Sequence, residues 1–197
     1  MPAATTATKA ERTRAALQHA ALARFLEHGV DATSIADIAA DAGVTERTFY
    51  RHFPSKQHIL FADYDARLGW FRQALSVRPP GEPVTASVRI AVESFPYDAA
   101  LHQLAVLRSE HLEQELVQAH IKTVQAEFAR EIEQFLLERT GAAAVSDEAY
   151  RISITAQCVS AVMFTATETW FARGDLDVAE LSRLVELGLR TIGDGIS

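Results

Sequence analysis

Nine glycines and six prolines in 197 residues, most of them set between long stretches rich in Ala, Leu, Glu and Arg, restrict this chain to helices. The stretches carry apolar residues at helical spacing, and no run of alternating β-branched residues stands out. The fold expected is all-α, with nine helices. The first spans about Lys9 to His28, with Leu17, Ala20, Ala21 and Phe25 on one face and Gly29 as its stop. Ser34 caps a second, with Asp37 three residues on, and Gly43 ends it. Thr45 caps a very short third, Glu46 to His52. After Pro54, Ser55 starts a long fourth to about Leu75. Val77 to Pro83 is a loop. Further helices follow over Thr85 to Phe95, from an Asp98 cap to about Ser109, to about Thr140 with a break near His111, from Ser146 or Asp147 to before Gly174, and from an Asp177 cap to about Ile192.

Charge divides the chain into two jobs. The net charge is −7, which taken whole argues against a nucleic-acid binder. Residues 1–60, however, hold seven basic and six acidic side chains, whereas the remainder holds 12 and 20. A slightly basic head on a strongly acidic body is an asymmetry that points to two jobs.

The second and third helices are short and are joined by Ala42-Gly43-Val44, where the glycine permits a sharp turn. This is helix-turn-helix grammar, in which the second helix enters the DNA major groove. The residues around it, Thr33-Ser34-Ile35, Ile38-Ala39, Ala42-Gly43-Val44-Thr45 and Thr48-Phe49-Tyr50-Arg51-His52-Phe53-Pro54-Ser55-Lys56, resemble the signature of TetR-family transcriptional regulators over residues 12–62. That resemblance implies that Glu46, Arg47 and Thr48 face bases at the start of a recognition helix, with the cap Thr45 among the DNA-binding residues. Arg47 suits bidentate contact with guanine, whereas Glu46 repels phosphate unless it accepts from a cytosine amino group. Tyr50, His52 and Lys56 match positions that contact phosphate, and their chemistry agrees. Lys56 at a helix start also opposes the helix dipole, which suggests another purpose. Ser34 offers phosphate a hydroxyl and free backbone N–H groups. Arg51 adds local positive charge. Lys9, Arg12 and Arg14 reach the DNA backbone or minor groove, or else are plain solvated charges. Phe49 and Phe53 belong to the core.

The same resemblance implies a helix-turn-helix DNA-binding domain over 1–56 with an N-terminal arm, and makes 57–197 a ligand-binding and dimerisation domain. Trp70, Phe71, Phe95, Phe128, Phe164 and Trp170, with His102, Arg108 and Gln157 as polar groups, are the expected cavity residues, since small-molecule sites are apolar with a few polar groups. Arg108 and His102 are the groups expected to meet an anionic effector. The stretch from Phe53 through the Arg78-Pro79-Pro80 loop is similar to actinobacterial members linked to mycofactocin and acyl-coenzyme A, so acyl-coenzyme A or another hydrophobic compound is the effector class implied. Ile152 to Thr167 is nearly free of charge, and a helix hidden on most sides in a small protein usually has a partner chain. Ala156, Ser160 and Ala161, with Leu181, Leu184, Val185, Gly188 and Leu189 of the last helix, are expected at a homodimer interface. A two-fold dimer pairs two recognition helices with a palindromic operator.

Other classes find little support. The single Cys158 excludes an internal disulfide and a cysteine-based zinc site, and fits the cytoplasm. Met1 to Thr8 lacks the apolar core of a signal peptide. Ile152 to Phe171 holds too many Ser, Thr and Gln residues to enter a membrane cheaply. His111, Glu115 and His120 lack metalloprotease spacing, and neither a phosphate loop nor a nucleophile elbow occurs. No metal, cofactor or enzymatic activity is expected. The function expected is a repressor that binds a palindromic operator as a homodimer and is released by a small, largely apolar effector. A corepressor-dependent regulator or an activator shares these features. So does a helical small-molecule-binding protein or enzyme that does not bind DNA.

Overall fold

The computed structural model describes residues 8–97, 99–143, 145–174 and 177–194, with the backbone alone at 99–102 and 194. Among these residues every regular element is a helix. They are α1 (Lys9–His28), α2 (Ile35–Asp41), α3 (Glu46–His52), α4 (Lys56–Ile59), α5 (Ala62–Ser76), α6 (Val84–Glu93), α7 (Ala99–His111), α8 (Gln114–Thr140), α9 (Asp147–Arg173) and α10 (Val178–Asp194). The nine-helix plan holds with one change: the long fourth helix is broken at Leu60-Phe61 into α4 and α5. The expected Asp98 cap lies outside the described residues.

Local chemistry accounts for the boundaries. Thr8 and Glu11 form a reciprocal capping box at the start of α1. Ser34, Thr45 and Ser146 each accept from the backbone N–H three residues on, at 3.1–3.3 Å. Gly43 turns the chain between α2 and α3 at φ +67°, a conformation that disfavours any side chain. Asp177 accepts from the Ala179 N–H at 2.9 Å. Glu180 pairs with Arg183 and Arg173, which hold its carboxyl down at about 2.

The chain divides into two compact units, Met1–Asp63 with Gln103–Glu113, and Tyr64–His102 with Gln114–Ser197. The division differs from the one the sequence suggests at residue 56. The head also takes in the second half of α7. Its core joins Leu17, Phe25, Ile38, Phe49, Phe53, Ile59 and Leu60 to Leu107, with Leu104 and Leu112 packed against them. Burying a large apolar side chain contributes about 1.5–3 kcal/mol, so α7 is part of what stabilises the head. Arg24 fastens α1 to α2 through a two-pronged pair with Asp41 at 2.5 and 2.9 Å.

The body is built on the long helices α8 and α9 together with α10 and α6, with α9 packed on α8 and α10, and α10 on α6. Ile132, Ala156, Val159, Trp170, Leu181 and Val185 lie inside it. Its Val77–Pro83 loop is pinned: Arg78 pairs with Glu82, Glu82 accepts from the Ser87 hydroxyl at 2.7 Å, and Arg139 donates to the Pro79 carbonyl. No described helix is long and apolar enough to cross a membrane.

Candidate nucleic-acid interface and effector cavity

The seven residues of α3 split cleanly by face. Phe49 is fully buried, together with Phe53 just beyond the helix, and the two rings lie 5.8 Å apart. They anchor the helix in the head core. Glu46, Arg47, Tyr50 and Arg51, which are spaced to share one helical face, are all exposed. Neither Arg47 nor Arg51 forms an ion pair with another described residue. By contrast Arg24, Arg72, Arg78, Arg89 and Arg183 each hold a carboxylate. An exposed, short, well-capped helix that presents two uncommitted guanidinium groups and a phenol is suited to read base edges and grip phosphate.

Other expected DNA contacts are committed elsewhere. The Lys56 ammonium donates to three carbonyls, of Val30 at 2.6 Å, Asp31 at 3.0 Å and Thr33 at 2.9 Å. A lysine ammonium has three donors, and here all three brace the loop before α2, where the sequence suggests a phosphate contact. Three carbonyl dipoles also explain why a cation tolerates a helix start. Arg14 donates to the His52 carbonyl at 3.0 Å and lies 4.3 Å from the centre of the Phe53 ring. It closes the C-terminal end of α3. His52 is half-buried, and its Nε2 is buried without a hydrogen-bond partner. Burial, reinforced by the neighbouring charges of Arg51 and Arg14, holds its imidazole below the usual range, so it is neutral at pH 7 and adds no positive charge. The Ser34 hydroxyl donates to the Asp37 carboxylate at 2.6 Å, and Thr45 shares a hydroxyl contact with the half-buried Thr48 at 3.2 Å. These residues serve first as caps. Lys9 and Arg12 are exposed on the first turn of α1.

The body contains a cavity of about 60 Å³. Phe71, Phe95, Phe128 and Phe164 line it as expected, with Trp70 at its edge, 40% exposed and donating from Nε1 to the Ser94 hydroxyl at 3.0 Å. The rings contact in series, with Phe71–Phe128 at 5.0 Å, Phe128–Phe164 at 5.3 Å and Trp70–Phe95 at 6.0 Å. Trp170 does not line the cavity. It is wholly buried behind it, donates to the Asp177 carbonyl at 2.9 Å, and its neighbour Phe171 takes the lining position.

The polar groups differ from those expected. Gln157 is exposed on α9 and away from the lining. Arg108 lies in the head, donating to Asp63 at 2.5 Å and to the Leu60 carbonyl at 2.6 Å. The side chain of His102 lies outside the described residues. In their place stand Arg67, whose guanidinium lies 4.3 Å from the centre of the Tyr64 ring, and Tyr97, Thr167 and Glu168. Burial raises the Tyr97 phenol above its ordinary value, so it is a hydrogen-bond donor at neutral pH. Arg67 was legible in principle, since it stands one turn from Phe71 and Asp63 on a helix rich in aromatic residues.

The expected dimer face is redistributed in the same way. Ala156, Ser160, Leu181 and Val185 are buried within their own chain, and the Ser160 hydroxyl donates to the Gln125 carbonyl of α8 at 2.8 Å. Leu189 is half-buried. Ala161, Leu184 and Gly188 do line an open groove of about 460 Å³, together with Cys158, Val162, Thr165 and Leu187. Among the described residues no group of three or more His, Cys, Asp and Glu side chains could hold a metal ion.

Comparison with known proteins agrees with this geometry. The sequence model of the family described as bacterial regulatory proteins, tetR family, matches residues 17–62. The chain is 28% identical over 194 residues to the HTH-type transcriptional regulator TcmR of Streptomyces glaucescens, a match covering 93% of this chain and 84% of that protein. Its fold is similar to that of FadR from Thermus thermophilus, a TetR-family repressor solved with lauroyl-CoA. The TM-score is 0.59 at 21% identity, covering 93% of this chain and 95% of the other. It is likewise similar to NalD, the secondary repressor of the MexAB-OprM multidrug efflux pump in Pseudomonas aeruginosa. There the TM-score is 0.56 at 22% identity, covering 92% and 97% of the two chains.

Proposed function

We propose that this chain is a transcriptional regulator of the TetR family, which its helix-turn-helix segment and its likeness to TcmR support, and that it acts as a ligand-responsive repressor. Its homodimer binds a palindromic operator, and a small, largely apolar effector releases it. The observation that carries the reading is the exposed face of α3, where Arg47 and Arg51 stand uncommitted beside Tyr50. An effector that binds better to the low-affinity state shifts the population away from DNA, and by reciprocity DNA weakens effector binding.

The effector enters the aromatic cavity of the body. At about 60 Å³ this is well below the roughly 300–1,000 Å³ of formed ligand pockets. Occupancy therefore requires the lining to open, and that gives the ligand leverage on the fold. Rings on several sides favour a flat, largely apolar compound, with Arg67, Tyr97 and Glu168 available to its polar edge. A second reading, an acyl-coenzyme A thioester, has support in the lauroyl-CoA complex of the Thermus repressor. Arg67, the single cation lining the cavity among the described residues, is a poor match for several phosphates.

Selection from random duplexes tests the DNA reading, which predicts enrichment of one palindrome with half-sites about one helical turn apart. Arg47→Ala then relaxes preference at one base pair of each half-site, with a cost of about 1–3 kcal/mol there. Enrichment of nothing sinks the proposal. Quenching of Trp70 fluorescence on titration with planar aromatics, against acyl-coenzyme A as the alternative, separates the two effector classes.

A further inference from the structure

We propose that the buried pair Arg108–Asp63 is a positioning clamp that couples occupancy of the body cavity to the recognition helix. The inference rests on the effector reading above and adds the residues that transmit it. The two side chains are only 4% and 1% exposed, and one guanidinium nitrogen, Nη1, serves both Asp63 Oδ1 and the Leu60 carbonyl. Leu60 is the residue at which the expected long helix breaks into α4 and α5. The clamp thus fixes the angle of that break.

A buried ion pair is a poor general stabiliser, because two charges lose their hydration, and it holds only while its geometry holds. An apolar contact tolerates sliding; this pair does not. It sits at a point where sliding has consequences on both sides. On one side, the next residue is Tyr64, which lines the cavity with Arg67, Trp70 and Phe71, all on α5. An occupant larger than the small void must displace part of that lining. On the other side, Leu60 and Ile59 share a core with Phe49 and Phe53, and Lys56 on α4 braces the carbonyls of Val30, Asp31 and Thr33 ahead of α2. A shift of α5 that strains the clamp is therefore passed to α4, then to the loop before α2, and so to α3.

Spatial continuity is not coupling, and a double-mutant cycle measures the difference. Ala91, fully buried in the cavity wall, becomes a built-in occupant as Ala91→Leu, so no effector needs to be known. The clamp is removed by Asp63→Leu with Arg108→Met, since apolar groups of similar volume usually spare the fold when both partners are replaced. Operator affinity is measured for the starting chain, the occupied chain, the clampless chain and the combination, each checked by circular dichroism. With the clamp intact, Ala91→Leu weakens operator binding by about tenfold. Without it, the same substitution changes affinity by less than about twofold. Equal weakening in both backgrounds overturns the clamp and leaves the effector reading standing. No weakening with the clamp intact removes the effector reading and the clamp with it. Should the double replacement fail to fold, Arg108→Lys, which keeps the charge and shortens its reach, is read by the same ratio.

Discussion

Lys56 shows how one side chain can invite one role and hold another. A cation in the first turn of a helix is locally unfavourable, and the residue resembles a phosphate ligand. In the structure its three donors all meet backbone carbonyls, 23 to 26 residues earlier in the chain. Unsatisfied carbonyls cost about 1–3 kcal/mol each when buried. Lys56→Met is thus expected to lower the melting temperature of the head, by several degrees for a loss of this size. The salt slope of DNA binding should stay as it was, whereas a true phosphate contact would reduce it by about one. Thermal melts combined with a salt titration decide between the two. His52 supplies a pH test at the same scale. Its native pKa lies below the ordinary 6.5 because the charged ring would be desolvated and would face Arg51 and Arg14. The unfolded chain therefore binds more protons between the two values, and the His52 contribution to stability is complete above about pH 6.5 and is lost as pH falls toward the native pKa. Between pH 7.5 and 5.5 the starting chain should lose stability relative to His52→Gln. Parallel stability curves for the two chains would show that the ring does not titrate differently on folding.

At the scale of elements, what the sequence reveals is what is local. Caps and glycines act within three or four residues, so the bounds of α3, Glu46 to His52, and the caps Ser34, Thr45 and Ser146 could be read directly. The break at Leu60-Phe61 could not. No glycine or proline marks it, and Arg108, which holds its carbonyl, comes 48 residues later. Periodicity likewise reveals that a helical face is covered but not by what. The small residues Ala156 and Ser160 read as an approach surface for a second chain, yet they pack inside their own. Gly188 makes the point testable. A Cβ there would stand 2.6 Å from Cγ1 of Val162, a branched side chain with little freedom to turn away. Gly188→Ala should destabilise the packing of α10 on α9 by about 1–3 kcal/mol, seen as a lower denaturation midpoint. Because Gly188 also lines the open groove, the dimer dissociation constant, measured where the chain is folded, should rise as well. An unchanged denaturation midpoint would show that the added methyl does not press on Val162.

For the whole molecule, the charge asymmetry acquires a structural meaning. Residues 61–197 carry a net −8 and residues 1–60 a net +1, and the uncommitted guanidinium groups on α3 belong to the head, so the proposed DNA binding would be favoured at one surface and opposed by the rest. Reading a palindrome in addition requires two heads held at a fixed spacing, and that depends on how the bodies join. The open groove between α9 and α10 is the candidate, because Leu187 at its rim is 51% exposed while Ala161 and Gly188 leave room beside it. In a two-fold interface any residue near the axis appears twice. Leu187→Glu therefore introduces two carboxylates into one apolar contact, whereas Leu187→Ala only trims it. Sedimentation should show the glutamate chain as a monomer with an unchanged helical spectrum, and the alanine chain as a somewhat weaker dimer. Operator affinity should fall by about a hundredfold or more for the monomer, because the second half-site is no longer presented at high effective concentration. Affinity for an isolated half-site should be unaltered, since α3 and its exposed face are untouched. A glutamate chain that stays dimeric and binds the full operator normally would place the interface elsewhere on the body.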